Sequence, residues 1–273
     1  MATDTTRIFV PQMARVYLAA VGTTAPDGPN AALDPLWREV GLFTPDSLQW
    51  ATDPTFEEVR SHQSNYPTLR FQTQDAATTE VDLQEWSATN FAAVFGGGTI
   101  IAVDPTIPGV PYYKFSPPSL TGRTTVAVII HLEFGAYHHR RIIPRAQQVE
   151  GVTQSFNKTA ESTLPLRLSV LGGDVGDPWY DLTDLPAFAP VPTLTTVAPG
   201  TGVAAGGTAV TLTGTGFIPG ATVKFGLTAA TSVVVVSSTS ITCVSPAHTA
   251  ATVDVSVTTT AGTATKTGSF IYT

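Results

Sequence analysis

From Thr193 to Thr273 the chain is punctuated by glycine and proline at short intervals, with apolar and threonine-rich polar positions alternating between them. Val210, Leu212, Val223, Phe225, Val253, Val255 and Val257 alternate with Thr, Lys, Asp and Ser, the period-two pattern of half-buried strands. Turn residues at this spacing suit an antiparallel sandwich. Val233 to Val236 is an unbroken apolar run, which predicts a strand buried on both faces or laid against a neighbouring domain. Gly214 and Gly216 flank Thr215, which predicts a tight bend there, with glycine supplying backbone angles other residues resist.

The series Pro199-Gly200, Gly206-Gly207-Thr208, Val210 through Phe217, Pro219 through Gly226 and Ile241 through Pro246 resembles the IPT/TIG family of immunoglobulin-like domains, over roughly residues 192–273. The resemblance implies a module that is almost never the catalyst. The chain's main task then falls to what precedes it.

Charge divides the chain at the same place. Beyond Pro192 the charged side chains are Lys224, Asp254 and Lys266, a local net of +1, so the chain's 14 basic and 21 acidic residues leave 12 and 20 upstream, a net of −8. Leu185-Pro186-Ala187-Phe188-Ala189-Pro190-Val191-Pro192 reads as a short stiff tether. The expected organisation is a first domain over 1–185, a linker over 186–192 and an immunoglobulin-like domain over 193–273. The N-terminus, Met1 to Arg7, has no apolar core of a secretory signal, and no run is long enough to span a bilayer, so neither export nor membrane insertion is expected. Cys243 is the one cysteine and excludes an intrachain disulfide; its place between Thr242 and Val244 in an expected strand predicts a small buried apolar group, with a reactive thiol as the lesser reading. The acidic balance argues against a protein whose task is to grip phosphate.

The first domain reads as mainly β with one helix. Arg15 to Ala19 is an opening strand that leads through Val21-Gly22-Thr23 into the turn Ala25 to Asn30; Trp37 to Leu42 forms a second short strand and Ser47 to Trp50 continues extended. A long polar excursion runs from Asp53 to about Thr68, and Leu69 to Thr73 resumes the sheet. Thr79 as N-cap, Glu80 and Asp82 in a first turn and the stop Gly96-Gly97-Gly98 predict a helix with Leu83, Trp86, Phe91, Val94 and Phe95 on one apolar face. Thr99–Val103, Tyr112–Phe115, Thr124–Leu132, 138–145 and 164–170 are strand-like by β-branched and aromatic content.

That order, an opening strand with Val16 to Ala19, a strand with Trp37, a polar loop with Val59-Arg60, one helix closed by glycines and then more strands, resembles the major tail tube proteins of long-tailed, siphovirus-like bacteriophages over about residues 8–188. The resemblance implies a β-barrel or sandwich with one packed helix, and a structural virion protein rather than an enzyme. It implies hexameric rings, with sheets joined across subunits, that stack into a tube through which DNA leaves the capsid without specific binding. The implied partners are further copies of the chain and other tail proteins at the tube ends, the implied location is the virion tail after assembly in the host cytoplasm, and no cofactor is implied. The 193–273 domain would decorate the exterior and touch the host surface or a glycan weakly, which suits an exposed tube better than one inside a sheath. An acidic domain is compatible with a lumen along which DNA slides. Within the 53–68 excursion and at its end, Phe56, Arg60, Tyr66 and Leu69 stand among polar residues and are the expected inter-subunit or inter-ring contacts.

No constellation for catalysis emerges. His131, His138 and His139 are close in sequence, but neighbours on a strand point to opposite faces and Arg140 and Arg141 sit beside them, so a polar surface or interface is expected over a metal site. Asp174, Asp177, Asp181 and Asp184 near Gly172, Gly173 and Gly176 lack the order of an EF-hand and read as an acidic, turn-rich loop. Gly96 to Gly98 follow a helix instead of opening one, the wrong polarity for phosphate binding, and neither a nucleophile elbow nor a zinc-protease motif is present. Two alternatives remain open: an adhesin-like surface-binding β-protein, and a polysaccharide-processing enzyme, for which Glu57 and Glu58 or the Asp174 to Asp184 group supply the clustered carboxylates.

Overall fold

The structure is a computed structural model that describes residues 10–60, 66–103, 112–119, 122–149, 151–154, 156, 161–172 and 176–273. The chain divides into two units, Ile8–Thr183 and Asp184–Thr273. Each unit has its own core.

The first unit is built on one antiparallel sheet. Its strands are β1 (Met13–Ala20), β2 (Arg38–Glu39), β3 (Gln49–Val59), β4 (Leu69–Leu83), β7 (Thr125–Phe134), β8 (Tyr137–Gln148), β9 (Leu164–Val170) and β10 (Tyr180–Thr183), in the order β2-β1-β7-β8-β9-β4-β3 with β10 pairing β8. A separate ribbon pairs β5 (Thr99–Val103) with β6 (Tyr112–Ser116), and the helix α1 spans Ala88–Val94. Val16, Leu18, Val81, Val128, Ile130 and Leu166 pack on one face of the sheet with Val94 of the helix. Ala127, Ile129 and Ile142 face Trp37 on the other. Burial of both faces explains why Ala127 to Ile130 is continuously apolar, where a one-sided sheet would alternate. Strands stand where expected at 99–103, 112–116, 125–134, 137–148 and 164–170, whereas the strand expected over Trp37 to Leu42 is reduced to Arg38–Glu39.

Two expectations are corrected. The helix does not begin at Thr79: Thr79 to Leu83 completes a fifteen-residue strand in which Thr79, Val81 and Leu83 are buried. Glu80 and Asp82 alternate with them, so these acids take the outward positions of a pleated strand and do not form a first helical turn. The helix begins only at Ala88, where the Ser87 hydroxyl accepts the Asn90 N–H at 3.2 Å, and it closes into Gly96 to Gly98, all three at positive φ. The second correction concerns the polar excursion. Residues 53–59 are strand, paired with β4 in a continuous register from Gln49↔Glu80 to Val59↔Leu69 with one bulge at Thr55/Phe56. Hydrophobic period cannot reveal that hairpin, because its outer half buries neither face.

The second unit is a sandwich. One sheet runs β11 (Thr193–Ala198), β13 (Ala209–Thr215), β17 (Ser240–Val244), β16 (Thr231–Ser237). The other runs β12 (Thr201–Gly202), β19 (Gly262–Tyr272), β18 (Thr252–Thr259), β14 (Thr222–Phe225), β15 (Thr228–Ala229). Val210, Leu212, Val223, Phe225, Val253, Val255 and Val257 are all buried, as their alternation required. Cys243 is buried, which pushes its thiol up to about 11. The Val233 to Val236 run is not buried on both faces. It lies on an edge strand with Val233 and Val235 against the core, while Val234 and Val236 are exposed. Gly214 also differs from expectation, since it is a strand residue where a Cβ would strike the Thr193 carbonyl, and the turn needs only Gly216 at φ +71°.

Candidate assembly surface

The first unit extends an arm beyond its own sheet. β9 pairs with β4 only from Thr78 to Leu83, so the preceding part of β4 has β3 as its strand neighbour and residues 69–75 are exposed. Seven strand residues reach about 24 Å at ~3.4 Å each. Opposite them, 54–57 and Val59 are exposed too. Pro54 interrupts the donors of β3, which an edge strand tolerates.

The arm has two unlike faces. Register pairs Phe56 with Gln72 and Glu58 with Arg70, placing these four on one side. There the Glu58 carboxylate accepts from Arg70 and, at 2.9 Å, from Arg60, and these bonds hold its pKa below the usual carboxylate value. The pairs Glu57↔Phe71 and Val59↔Leu69 occupy the other side. Val59, Leu69 and Phe71 are 47, 58 and 46% exposed. Of the expected contact residues, Phe56 therefore belongs to the face carrying the ion pairs and Leu69 to the apolar one. Arg60 follows the end of β3 and Tyr66 precedes β4, both exposed. Val59 and Phe71 complete the apolar face with Leu69 and are not among the residues expected from sequence: their signal is cross-strand, visible only once the hairpin register is known.

A groove opens on the same unit between α1 and the β5–β6 ribbon. The ribbon pairs Ile100↔Phe115 and Ala102↔Tyr113 share one side. Phe115 anchors that side, its ring edge-on to Phe91 at 4.9 Å and 5.2 Å from Phe95. Trp86 lies 5.8 Å from Phe91 and donates from its indole to the Ser162 carbonyl at 2.7 Å, which fixes the ring and leaves it 46% exposed. Trp86, Phe91, Ile100, Ala102, Tyr113 and Phe115 line about 560 Å³, with no charged side chain among the lining residues.

His131, His139, Arg140, Arg141 and Asp181 are committed to contacts within the first unit. Arg141 donates two 2.8 Å hydrogen bonds to Asp181 and sits 4.4 Å over the Trp50 ring and 4.6 Å over Trp179. His139 adds an Asp181 contact at 3.5 Å, while burial lowers its pKa. His131 instead receives the Arg140 guanidinium. His131 and His139 thus belong to two different ionic clusters, and no group able to hold a metal occurs among the described residues. Of the four expected loop acids, Asp181 is a strand residue paired to Arg141, and Asp174 lies outside the described residues. Glu57 and Glu58 point to opposite faces of the arm, which denies them the shared cleft that paired carboxylate chemistry needs.

The first unit thus commits its buried ion pairs to the fold and leaves one face of the arm and one groove apolar and exposed. Residues 1–190 match the phage tail tube protein family and residues 192–272 match the IPT/TIG domain. The chain belongs to the phage tail tube proteins, structural components of the phage tail, and carries a C-terminal immunoglobulin-like IPT/TIG domain. No curated protein matches it.

Proposed function

We propose that this tail tube protein closes into hexameric rings that stack into a tube, with the first unit forming the wall and DNA passing along the lumen during ejection. The observation that carries this reading is the arm. A two-stranded ribbon is marginally stable alone, and this one displays Phe56, Val59, Tyr66, Leu69 and Phe71 to solvent. Such a surface is made to be covered. Ring closure through the free edge of β3 follows the general logic of heterologous contacts, with Pro54 limiting how far strand pairing can run along that edge.

The net charge of −8 upstream of Thr193 favours a lumen that does not retain phosphate. The chain performs no catalysis in this role. Residues 186–192 act as the tether, and the 193–273 sandwich decorates the tube exterior, where many weak copies touch the host surface by avidity. Other tail proteins cap the tube ends, and assembly occurs in the host cytoplasm.

The test is electron microscopy of the purified chain beside a variant with a shortened arm. Removing one strand alone would orphan the other, so Phe56 to Thr73 are replaced by Asn-Gly, a two-residue turn that joins the paired Thr55 and Gln74. The native chain is expected to form tubes with six-fold rings and the variant to remain a folded monomer. Tubes of native length from the variant would refute the role of the arm.

A further inference from the structure

We propose that Pro190, Val191 and Pro192 form a strap docked on the end of the second unit's sandwich, not a length of open linker, so that the joint between the two units is confined to residues 184–189. The way copies of the sandwich are displayed on a tube rests on the decoration reading above. The strap itself rests on the geometry of the second unit.

Ladder hydrogen bonds cannot fasten this segment. Pairing between β11 and β13 ends at Thr193↔Thr215. Two of the three residues before Thr193 are prolines, which fix φ and have no N–H to offer, so the ladder cannot run on into 190–192. What keeps the segment against the sandwich is close packing, and the residue that follows β13 makes it possible. A Cβ on Gly216 would stand 3.0 Å from the Pro190 and Val191 carbonyl oxygens and from Pro192 Cα, closer than ordinary non-bonded contact, so the strap passes over bare backbone that only glycine supplies. Gly262, the first residue of β19, faces it from the other sheet, where a Cβ would lie 3.6 Å from Val191 Cγ1. The strap thus touches the end of one sheet and the start of the other, and Pro192 is buried there.

The reach of the tether shrinks accordingly. Seven open residues, 186–192, would span about 22 Å at ~3.1 Å each in the extended proline-rich conformation. With 190–192 docked, only 186–189 remain, and Pro186–Phe188 is a 3₁₀ turn in which the Phe188 and Ala189 N–H groups donate to the Leu185 and Pro186 carbonyls at 3.0 and 3.1 Å. At ~2 Å per 3₁₀ residue these four span about 9 Å. So short a tether does not let the sandwich rove. Copies around a tube are placed by the tube's own lattice and meet a surface as an array of set spacing, which is the condition for many weak contacts to add.

The test places a nitroxide on Val191→Cys in the full chain and reads its mobility by electron paramagnetic resonance. Cys243 is buried with its thiol held protonated, so it does not compete for the label. Gly-Ser-Gly-Ser is then inserted between Ala189 and Pro190. The label should be immobilised in the chain of native length and should stay so after the insertion, because the sandwich alone holds the strap. A label that turns mobile on insertion would show that 190–192 is merely stretched between two anchored ends, and would overturn the strap. As a second measurement, Gly216→Ala, which puts a methyl group where the strap lies, should mobilise the label while Cys243 remains unlabelled in a folded core; an immobile label in that folded variant would equally overturn it. Should alanine at 216 unfold the sandwich, Cys243 takes up label and the insertion decides. Neither readout needs tubes, so a chain that stays monomeric with an immobile label would sink the tube reading and leave the strap standing.

Discussion

Arg140 donates from Nε to Nδ1 of His131 at 2.9 Å, inside the first unit, and its Nη1 reaches the carbonyls of Gly28 and Ala31 at 3.0 and 2.6 Å. One buried guanidinium thus ties two strands to the 28–31 turn, and the tie requires an unprotonated Nδ1.

Acid should therefore loosen the first unit. Burial first, then the neighbouring Arg140 charge, holds His131 below its ordinary value of 6.5, while Glu133 at 3.4 Å pulls the other way. The unfolded chain consequently takes up this proton before the folded one, so stability is full above 6.5 and falls as pH drops from there toward the lower folded value. His139 is lowered in the same direction by burial and adds to the slope. Melting curves of the native chain between about pH 7.5 and 5 should show this decline, which amounts to about 1.4 kcal/mol for a tenfold difference in proton affinity between the folded and unfolded states. His131→Gln, which keeps an acceptor for Arg140, should show a shallower one. Equal slopes in the two proteins would contradict the assignment.

Arg141 makes a second test, because a lysine cannot replace it. Its planar head pairs with both oxygens of Asp181 while lying over Trp50 and Trp179, and a lysine reproduces neither the fork nor the stacking. The pair is about a fifth exposed, which moderates its worth. Arg141→Lys should cost about 1–2 kcal/mol and Arg141→Ala about 2–3 kcal/mol in urea unfolding. A loss below about 0.5 kcal/mol for both would show that the cluster is not stabilising.

What the sequence discloses depends on whether burial leaves a period in it. The second unit is legible strand by strand because each strand buries one face, as in Val253, Val255 and Val257. Val234 and Val236 mislead, since an apolar run cannot distinguish a core strand from an edge strand with valines facing water. The arm is illegible for the opposite reason, having no buried face, and Thr79 to Leu83 fits a helical start and an alternating strand equally until pairing with β9 decides between them. The expected contacts Phe56, Arg60, Tyr66 and Leu69 are all exposed residues of the arm, but which face Phe56 occupies is set by a bulge no local pattern reports.

Asn90 carries no sequence signal at all, and it is among the most constrained polar residues of the first unit. Buried at 1% exposure, it donates to the Val40 and Glu85 carbonyls at 2.7 and 3.0 Å and accepts from Arg38 at 2.7 Å. It thus ties the first turn of α1 to the segment following β2. Asn90→Ala would strand two carbonyls and a half-buried guanidinium, and should destabilise the unit by about 2–4 kcal/mol. Asn90→Asp keeps the acceptor but loses both donated bonds, so a variant as stable as the native chain would show that those donors are dispensable.

The two units should prove separable. The buried cluster around Leu212, Phe225 and Phe270 is drawn from the second unit, and the clusters around Val128 and Ile142 from the first. A core that recruits no residue from elsewhere can melt as its own cooperative transition. Calorimetry of the full chain is expected to resolve two transitions, with residues 192–273 alone reproducing one midpoint and residues 1–191 the other, each within a few degrees. Because the arm belongs to the first unit, the 1–191 fragment should still assemble into tubes, bare of their exterior decoration. If that fragment folds with its native midpoint yet remains monomeric, the sandwich is a working part of the wall, and its assignment as an appendage fails.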